Sequence, residues 1–358
     1  MKKTTTLLSL LAAVAVVLGA CATPTTPEVI RETVEVPVQQ TVVVPVQETV
    51  EVQVTTTPQP ITVIRVSMGY IPNFQYAPFY VGLEKGYFAE EGLQIIMDYG
   101  TEEDAAKKVA SGNVQFGTSS GDTIILSRGQ GIPLKYVMRW YNGWPTGIFS
   151  LADKGIKTPQ DLVGKTVGIP GPFGANWLSW QAMLANQGID PESINVQFIG
   201  FTQIAAVSSG QVDAAAGYMV NEPLQLEAQG YEVDTIATSD YINLVPIGMF
   251  TTDDYIAANP ETVQKFVRAL LRSIETTLAE PDFALEAVIS AVQFSGGDNR
   301  AGTKAGLEAA SKYWTDAGPY DDETWTLTQD IMFDLGMITQ KLDVGEYYTN
   351  EFVEAAGQ

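Results

Sequence analysis

One short pattern occurs twice in this chain, 98 residues apart, and it restricts the fold more than any other feature. Ser111-Gly112-Asn113-Val114-Gln115-Phe116-Gly117 is echoed by Ser209-Gly210-Gln211-Val212-Asp213-Ala214-Ala215. In each copy the pattern predicts a helix that stops at Ser-Gly, then a strand that runs into a polar turn. The elements predicted around the first copy alternate. Strands are expected at 63–68, Leu93–Tyr99, Val114–Thr118 and Leu134–Trp140, with helices at Ala77–Glu84, Glu103–Ala110 and Thr123–Gln130 between them. Around the second copy the same rhythm returns. A helix starts at Thr158-Pro159, strands follow at Lys165–Ile169, Asn195–Ile199, Val212–Ala216 and Val233–Ala237, and helices at Asn176–Gln187, Ile204–Ser209 and up to Gln229. Alternation of this kind predicts a mostly parallel sheet, so the chain reads as two α/β units. Tyr241–Phe250 is expected to be a crossover strand returning to the first unit. Helices follow at Glu261–Leu278, Phe283–Val292, Lys304–Lys312 and Glu323–Leu335. In the first of these, Val263, Phe266, Val267, Leu270 and Leu271 have the spacing of a buried helix face.

The amino-terminal 60 residues read differently. Lys2 and Lys3 precede the apolar run from Leu7 to Leu18, which is the length of a signal-peptide core and short for a membrane span. The run ends Leu18-Gly19-Ala20-Cys21, like a bacterial lipobox, and Cys21 is the only cysteine in the chain. Residues 1–20 are therefore expected to be a lipoprotein signal peptide, with lipidation at Cys21 holding the protein to the outer face of the cell membrane. Residues 21–60 form a Val/Thr/Pro-rich tether with an eight-residue repeat, Val36-Pro37-Val38-Gln39 and then Val44-Pro45-Val46-Gln47. Fully extended, such a tract reaches up to ~120 Å at ~3.1 Å per residue.

Composition removes several function classes. The chain has 20 Lys+Arg against 42 Asp+Glu, a formal net charge of −22, so it offers no basic face to nucleic acid. It has no histidine, which removes the commonest general base and histidine-ligated metals. With one cysteine it forms no internal disulfide and no cysteine-based zinc site.

The stretch Pro72-Asn73-Phe74-Gln75-Tyr76-Ala77-Pro78-Phe79-Tyr80-Val81, with Glu84-Lys85-Gly86-Tyr87-Phe88 and Glu91-Gly92-Leu93, resembles a family of solute-binding proteins of ABC importers. Members of that family bind sulfonates, nitrate, thiamine-precursor pyrimidines and riboflavin. Further matches are the two Ser-Gly-x-Val copies, Ser119-Ser120-Gly121-Asp122 and Thr158-Pro159-Gln160-Asp161-Leu162-Val163-Gly164-Lys165, in family order over roughly residues 63–290. The tether and the opening Tyr70-Ile71-Pro72-Asn73 look most like the riboflavin-binding lipoprotein components. The resemblance implies an α/β, two-lobed periplasmic-binding-protein fold of type II, with two lobes joined by two crossover strands and ligand in the cleft. Lobe 1 would be 61–146 plus 246–358, and lobe 2 147–245. It implies a monomer that hands a small molecule to an ABC permease, with no cofactor and no enzymatic activity. A pyrimidine-synthase branch of similar architecture uses a histidine and pyridoxal phosphate, and this chain has no histidine.

Candidate ligand contacts come from the loops at strand ends, where open α/β sheets bind small molecules. In the first unit these are Asn73, Phe74 and Tyr76, then Ser119 and Asp122 at a helix start. In the second they are Phe173, Asn176 and Trp177 beside a glycine turn, and Tyr218, Asn221 and Glu222 after a strand. Trp140 and Tyr141, with Trp144, lie at the predicted crossover and could roof the cleft. Trp180, three residues after Trp177, is expected in the core. Aromatic faces stack on a heterocycle, and Asn, Asp and Glu read its edge. These residue types suit a flat heteroaromatic, and the resemblance makes riboflavin the expected ligand. A thiamine-type pyrimidine is the second choice, and an aliphatic sulfonate or nitrate is the reading that an arginine in the cleft would favour.

Overall fold

The structure, a computed structural model, describes residues 61–357 except 315 and 316. The signal peptide, Cys21 and the tether fall outside the described residues. The strands are β1 Thr62–Met68, β2 Leu93–Tyr99, β3 Phe116–Ser119, β4 Leu134–Arg139, β5 Thr146–Leu151, β6 Thr166–Ile169, β7 Asn195–Phe198, β8 Ala214–Tyr218, β9 Val233–Ala237 and β10 Gly248–Thr252. They form two five-stranded sheets, ordered β2-β1-β3-β10-β4 and β7-β6-β8-β5-β9. The two orders are the same pattern. In each, one strand supplied from across the lobe boundary (β10 in the first, β5 in the second) runs antiparallel to its neighbours.

The helices are α1 Ala77–Glu84, α2 Tyr87–Glu90, α3 Glu102–Ala110, α4 Gly121–Gly129, α5 Gly174–Asn186, α6 Gln203–Ser208, α7 Glu222–Ala228, α8 Asp253–Ala258, α9 Pro260–Ala279, α10 Pro281–Ala291, α11 Arg300–Ser311, α12 Asp322–Asp334 and α13 Glu351–Ala356. The duplicated motif takes equivalent places. Helices α3 and α6 both end at a serine, followed by Gly112 at φ 73° and Gly210 at φ 72°. A side chain is strained at such a positive φ, which is why glycine stands at both turns. The strands that follow, β3 and β8, are the central members of their sheets.

The chain crosses between sheets at 140–145 and 238–247. The two crossings are tied together, because the Trp140 and Tyr141 amides both donate to the Ile247 carbonyl at 3.0 Å. Three elements differ from expectation. The returning strand begins at Gly248, so residues 241–247 run as loop. Strand β5 has no counterpart among the predicted elements. It lies between β8 and β9 with five of its six residues buried, so it shows none of the alternation that marks a half-exposed strand. The predicted helix at Thr158-Pro159 is a single 3-10 turn, Pro159–Leu162. Asp161 fixes its start by accepting from the Thr158 amide at 2.9 Å.

Aromatic packing fills the first lobe. Phe79 stacks between Trp140 (centroids 5.1 Å) and Phe88 (5.9 Å), and Phe116 stacks on Phe266 of α9 at 4.0 Å. The core assignments for Phe79 and Trp180 hold, at 0% and 1% exposure, whereas Leu271 is only partly buried. Phe266→Ala would empty the centre of this stack and is expected to cost about 3–5 kcal/mol in urea unfolding. Leu327→Ala, at a 41% exposed site, should change stability by less than about 0.5 kcal/mol. Equal losses in the two variants would contradict this packing.

Candidate functional site

The carboxyl ends of the parallel strands in both sheets meet in the cleft between the lobes. Tyr70 follows β1, Glu102 opens α3 after β2, and Ser120 lies between β3 and α4. From the other lobe come Phe173 after β6, Phe201 after β7, and Tyr218, Asn221 and Glu222 at the end of β8 and start of α7. Two reciprocal bonds cross the cleft. The Tyr70 hydroxyl of the first lobe donates to Glu222 Oε1 of the second at 2.9 Å. The Tyr218 hydroxyl of the second donates to Glu102 Oε1 of the first at 3.4 Å. The two tyrosine rings lie 6.2 Å apart, 19° from parallel, and Phe201 meets Tyr70 edge-on at 5.0 Å.

Three buried acids line this region, each in the first turn of a helix: Glu102 in α3, Asp122 in α4 and Glu222 in α7. Glu222 is well provided with donors, from Tyr70, from the Asn221 side chain at 2.9 Å and from the Tyr218 amide at 2.8 Å. Burial still raises its pKa. Glu102 Oε2 accepts from the Ser120 amide at 3.1 Å and lies 2.7 Å from the Ser120 hydroxyl, which also touches Asp122 Oδ1. A hydroxyl has one proton to give. The two carboxyl groups therefore compete for the Ser120 proton, an arrangement that favours a proton on one of them. In agreement, burial first and the nearby Asp122 second push the Glu102 pKa up to about 7.

The inner cleft is nearly filled. One cavity of about 20 Å³ is lined by Tyr70, Tyr76, Glu102, Trp140, Tyr141 and Tyr218 among others. A second, of about 30 Å³, is lined by Tyr70, Glu102, Phe173, Asn176, Phe201 and Tyr218 among others. Neither has a Lys or Arg in its lining. Outside them lie a groove of about 590 Å³ beside Asn73, Phe74, Asn221 and Glu222, and one of about 320 Å³ beside Asp122, Phe173 and Trp177.

The structure thus gathers Tyr76, Trp140, Tyr141, Phe173, Asn176 and Tyr218 at the inner cavities. Asn73, Phe74, Asn221 and Glu222 lie along one outer groove, and Asp122 and Trp177 along the other. Trp177 packs edge-on against Phe198 at 5.9 Å and stays outside the inner cavities. Ser119 lines none of these spaces; it is fully buried, and its carbonyl accepts from the Tyr136 hydroxyl. The adjacent Ser120 takes the contact with Glu102. Glu102 and Tyr70 were not among the sequence candidates. Both stand just after a strand in the first sheet, a position that alone does not single them out. Among the described residues no group of three or more His, Cys, Asp or Glu is placed to hold a metal ion.

Residues 73–284 match the family model described as NMT1/THI5 like. The chain belongs to the NMT1/THI5-like family. The matched span holds Glu102, Ser120, Asp122, Tyr218 and Glu222, and Tyr70 lies just ahead of it. Among curated relatives, riboflavin-binding protein RibY of Chloroflexus aurantiacus is 37% identical over 300 residues, 81% of this chain and 86% of that protein. The formylaminopyrimidine-binding protein of Halalkalibacterium halodurans is 29% identical over 236 residues, 64% and 71% of the two chains. A 4-amino-5-hydroxymethyl-2-methylpyrimidine phosphate synthase of Legionella pneumophila is 25% identical over 303 residues, 81% and 92%. Among solved structures, the alkanesulfonate-binding protein SsuA of Xanthomonas axonopodis superposes with a TM-score of 0.68 at 14% identity. That superposition covers 81% of this chain and 99% of SsuA, and it establishes the two-lobed binding-protein fold.

The raised pKa of Glu102 gives this family member a pH signature. The folded pKa of Glu102, about 7, lies above its ordinary value of 4.5. Its favourable contribution is complete below about pH 4.5 and is lost as pH rises through about 7. The thermal midpoint of the wild-type protein should therefore fall more between pH 5 and pH 8 than that of Glu102→Gln, which carries no charge at either pH. Parallel falls in calorimetry would show that Glu102 ionises freely in the folded protein.

Proposed function

We propose that this protein is the extracytoplasmic solute-binding component of an ABC importer, held to the membrane through lipidated Cys21, and that its ligand is riboflavin. The observation that carries the ligand class is the pair of tyrosines facing each other across a cleft with buried acids and no Lys or Arg in its inner lining. Helix amino termini attract anions. Here those of α3, α4 and α7 already carry the protein's own carboxylates. A sulfonate or nitrate entering the cleft would meet negative charge with no counter-ion. A neutral ring with N–H and hydroxyl donors instead finds aromatic faces for its plane and carboxylate oxygens for its edge.

The riboflavin-binding relative, at 37% identity over most of both chains, supports the same ligand. Inner cavities of about 20 and 30 Å³ hold little more than water, whereas ligand pockets of drug size run roughly 300–1,000 Å³. Binding therefore requires the lobes to part about the tied crossings at 140–145 and 238–247 and to close again on the ring. Closure presents the loaded protein to the permease.

A single-ring pyrimidine is the second reading. It is favoured by the small inner cavities, which need to open less for one ring than for three, and by the formylaminopyrimidine-binding relative. Catalysis of the kind named for the synthase relative fits less well, because the chain has no histidine to supply the residue that branch uses.

Titration followed by tryptophan and flavin fluorescence tests the assignment. Riboflavin should bind below ~10 μM, about −7 kcal/mol. Formylaminopyrimidine should bind at least tenfold more weakly, and an alkanesulfonate should leave the signal unchanged. Tyr218→Ala should weaken riboflavin about 30-fold, as expected for removal of a buried aromatic anchor worth ~2 kcal/mol. Tighter binding of the pyrimidine would install the second reading, and binding of neither would sink the ligand class.

A further inference from the structure

The groove of about 590 Å³ borders the inner cleft, since Tyr70 lines both the groove and the first inner cavity, and Phe201 lines both the groove and the second. Its walls come from both lobes. The first lobe contributes Asn73 ahead of α1, and Asn299 and Thr303 at α11. The second contributes Gln203 of α6, and Asn221 and Gln225 at α7. These are neutral amides and hydroxyls, able to donate and to accept. Asn73 Nδ2 is buried without a hydrogen-bond partner, although Asn73 Oδ1 is used by the Gln75 amide at 2.8 Å. Among the described residues, no Lys or Arg lines the groove, and its one carboxylate, Glu222, stands where the groove meets the cleft.

We infer that this groove seats a neutral, polyhydroxylated chain attached to the ring in the inner cleft, and that it rejects the same chain when it ends in a phosphate. The inference rests on the flavin reading above and adds the part of the ligand that the ring pocket does not read. A chain of hydroxyls replaces water against these side chains, in exchange for internal bonds such as Asn221 to Glu222 and Gln225 to Asn221, with Phe74 and Phe201 against its carbons. It also satisfies the buried Asn73 amide, whose unpaired state is costly. A phosphate in the same groove would give up its water without gaining a cation, in the field of Glu222. Because the walls belong to opposite lobes, each hydrogen bond to the chain also favours the closed form over the open one. For a flavin, the ribityl chain lies in the groove and the protein takes riboflavin in preference to flavin mononucleotide.

The full protein is titrated with riboflavin, flavin mononucleotide and lumiflavin, which has the ring but no hydroxylated chain. Riboflavin should bind tightest, lumiflavin at least tenfold more weakly, and flavin mononucleotide about 100-fold more weakly at pH 8. Asn73→Ala and Gln225→Ala should weaken riboflavin more than lumiflavin. Gln225→Arg should narrow the gap between flavin mononucleotide and riboflavin by supplying the missing cation. Equal binding of riboflavin and flavin mononucleotide, or of riboflavin and lumiflavin, would overturn the groove assignment while leaving the flavin reading in place. Failure of all three flavins to bind would remove both.

Discussion

Two carboxylates are held out of water between the lobes, and each is bonded to a tyrosine of the opposite lobe. The rest of the cleft follows from that exchange. Glu102 and Glu222 both open helices, so the helix dipoles partly offset the cost of burying them. Each then needs a donor, and the lobe that faces it supplies a tyrosine. A hydrogen bond to a charged group is worth roughly 1.5–3 kcal/mol net. The Tyr70–Glu222 bond at 2.9 Å is of this kind and the Tyr218–Glu102 contact at 3.4 Å is weaker, so both are open to exchange for contacts with a ligand. A ligand that offers ring faces to the tyrosines and donors to the carboxylates shifts the open–closed balance by its difference in affinity for the two forms.

The same exchange inverts the electrostatics that helix termini usually bring to a binding cleft. Bare amino termini would draw in an anion. Here Glu102, Asp122 and Glu222 occupy that role from within the chain, and the lining of the inner cavities has no cation to balance a second negative charge. The fold shared with an alkanesulfonate-binding protein at 14% identity therefore carries no information about charge preference. The scaffold is common to both, and the residues at the strand ends decide what it holds. Ser120 links Glu102 and Asp122, and burial favours the neutral form of both acids.

The architecture was legible in the sequence because it is written in local signals. Helices that end at Ser111-Gly112 and Ser209-Gly210 need glycine at a positive φ, and the strands after them occupy matching central positions. Tyr218, Asn221 and Glu222 could be found because they directly follow a short apolar strand. Glu102 could not, because an acid at a helix start reads as an exposed cap until Ser120 and Tyr218 close over it. Tyr70 was hidden among neighbouring aromatics, of which Phe79 stacks in the core and Tyr76 lines the cleft. Strand β5 escaped because it is buried on both faces between partners that sequence alone does not pair with it. What the sequence lacked in each case was the identity of the surface brought opposite by the chain crossing twice between sheets.

A crystal structure of the protein grown with riboflavin bears most directly on where the ligand lies. The lobes should be closed, with the isoalloxazine ring in contact with both Tyr70 and Tyr218 and its polar edge within hydrogen-bond distance of Glu102 or Glu222. Flavin bound on the face of one lobe, or between open lobes with the Tyr70–Glu222 and Tyr218–Glu102 pairs far apart, would contradict the cleft described above.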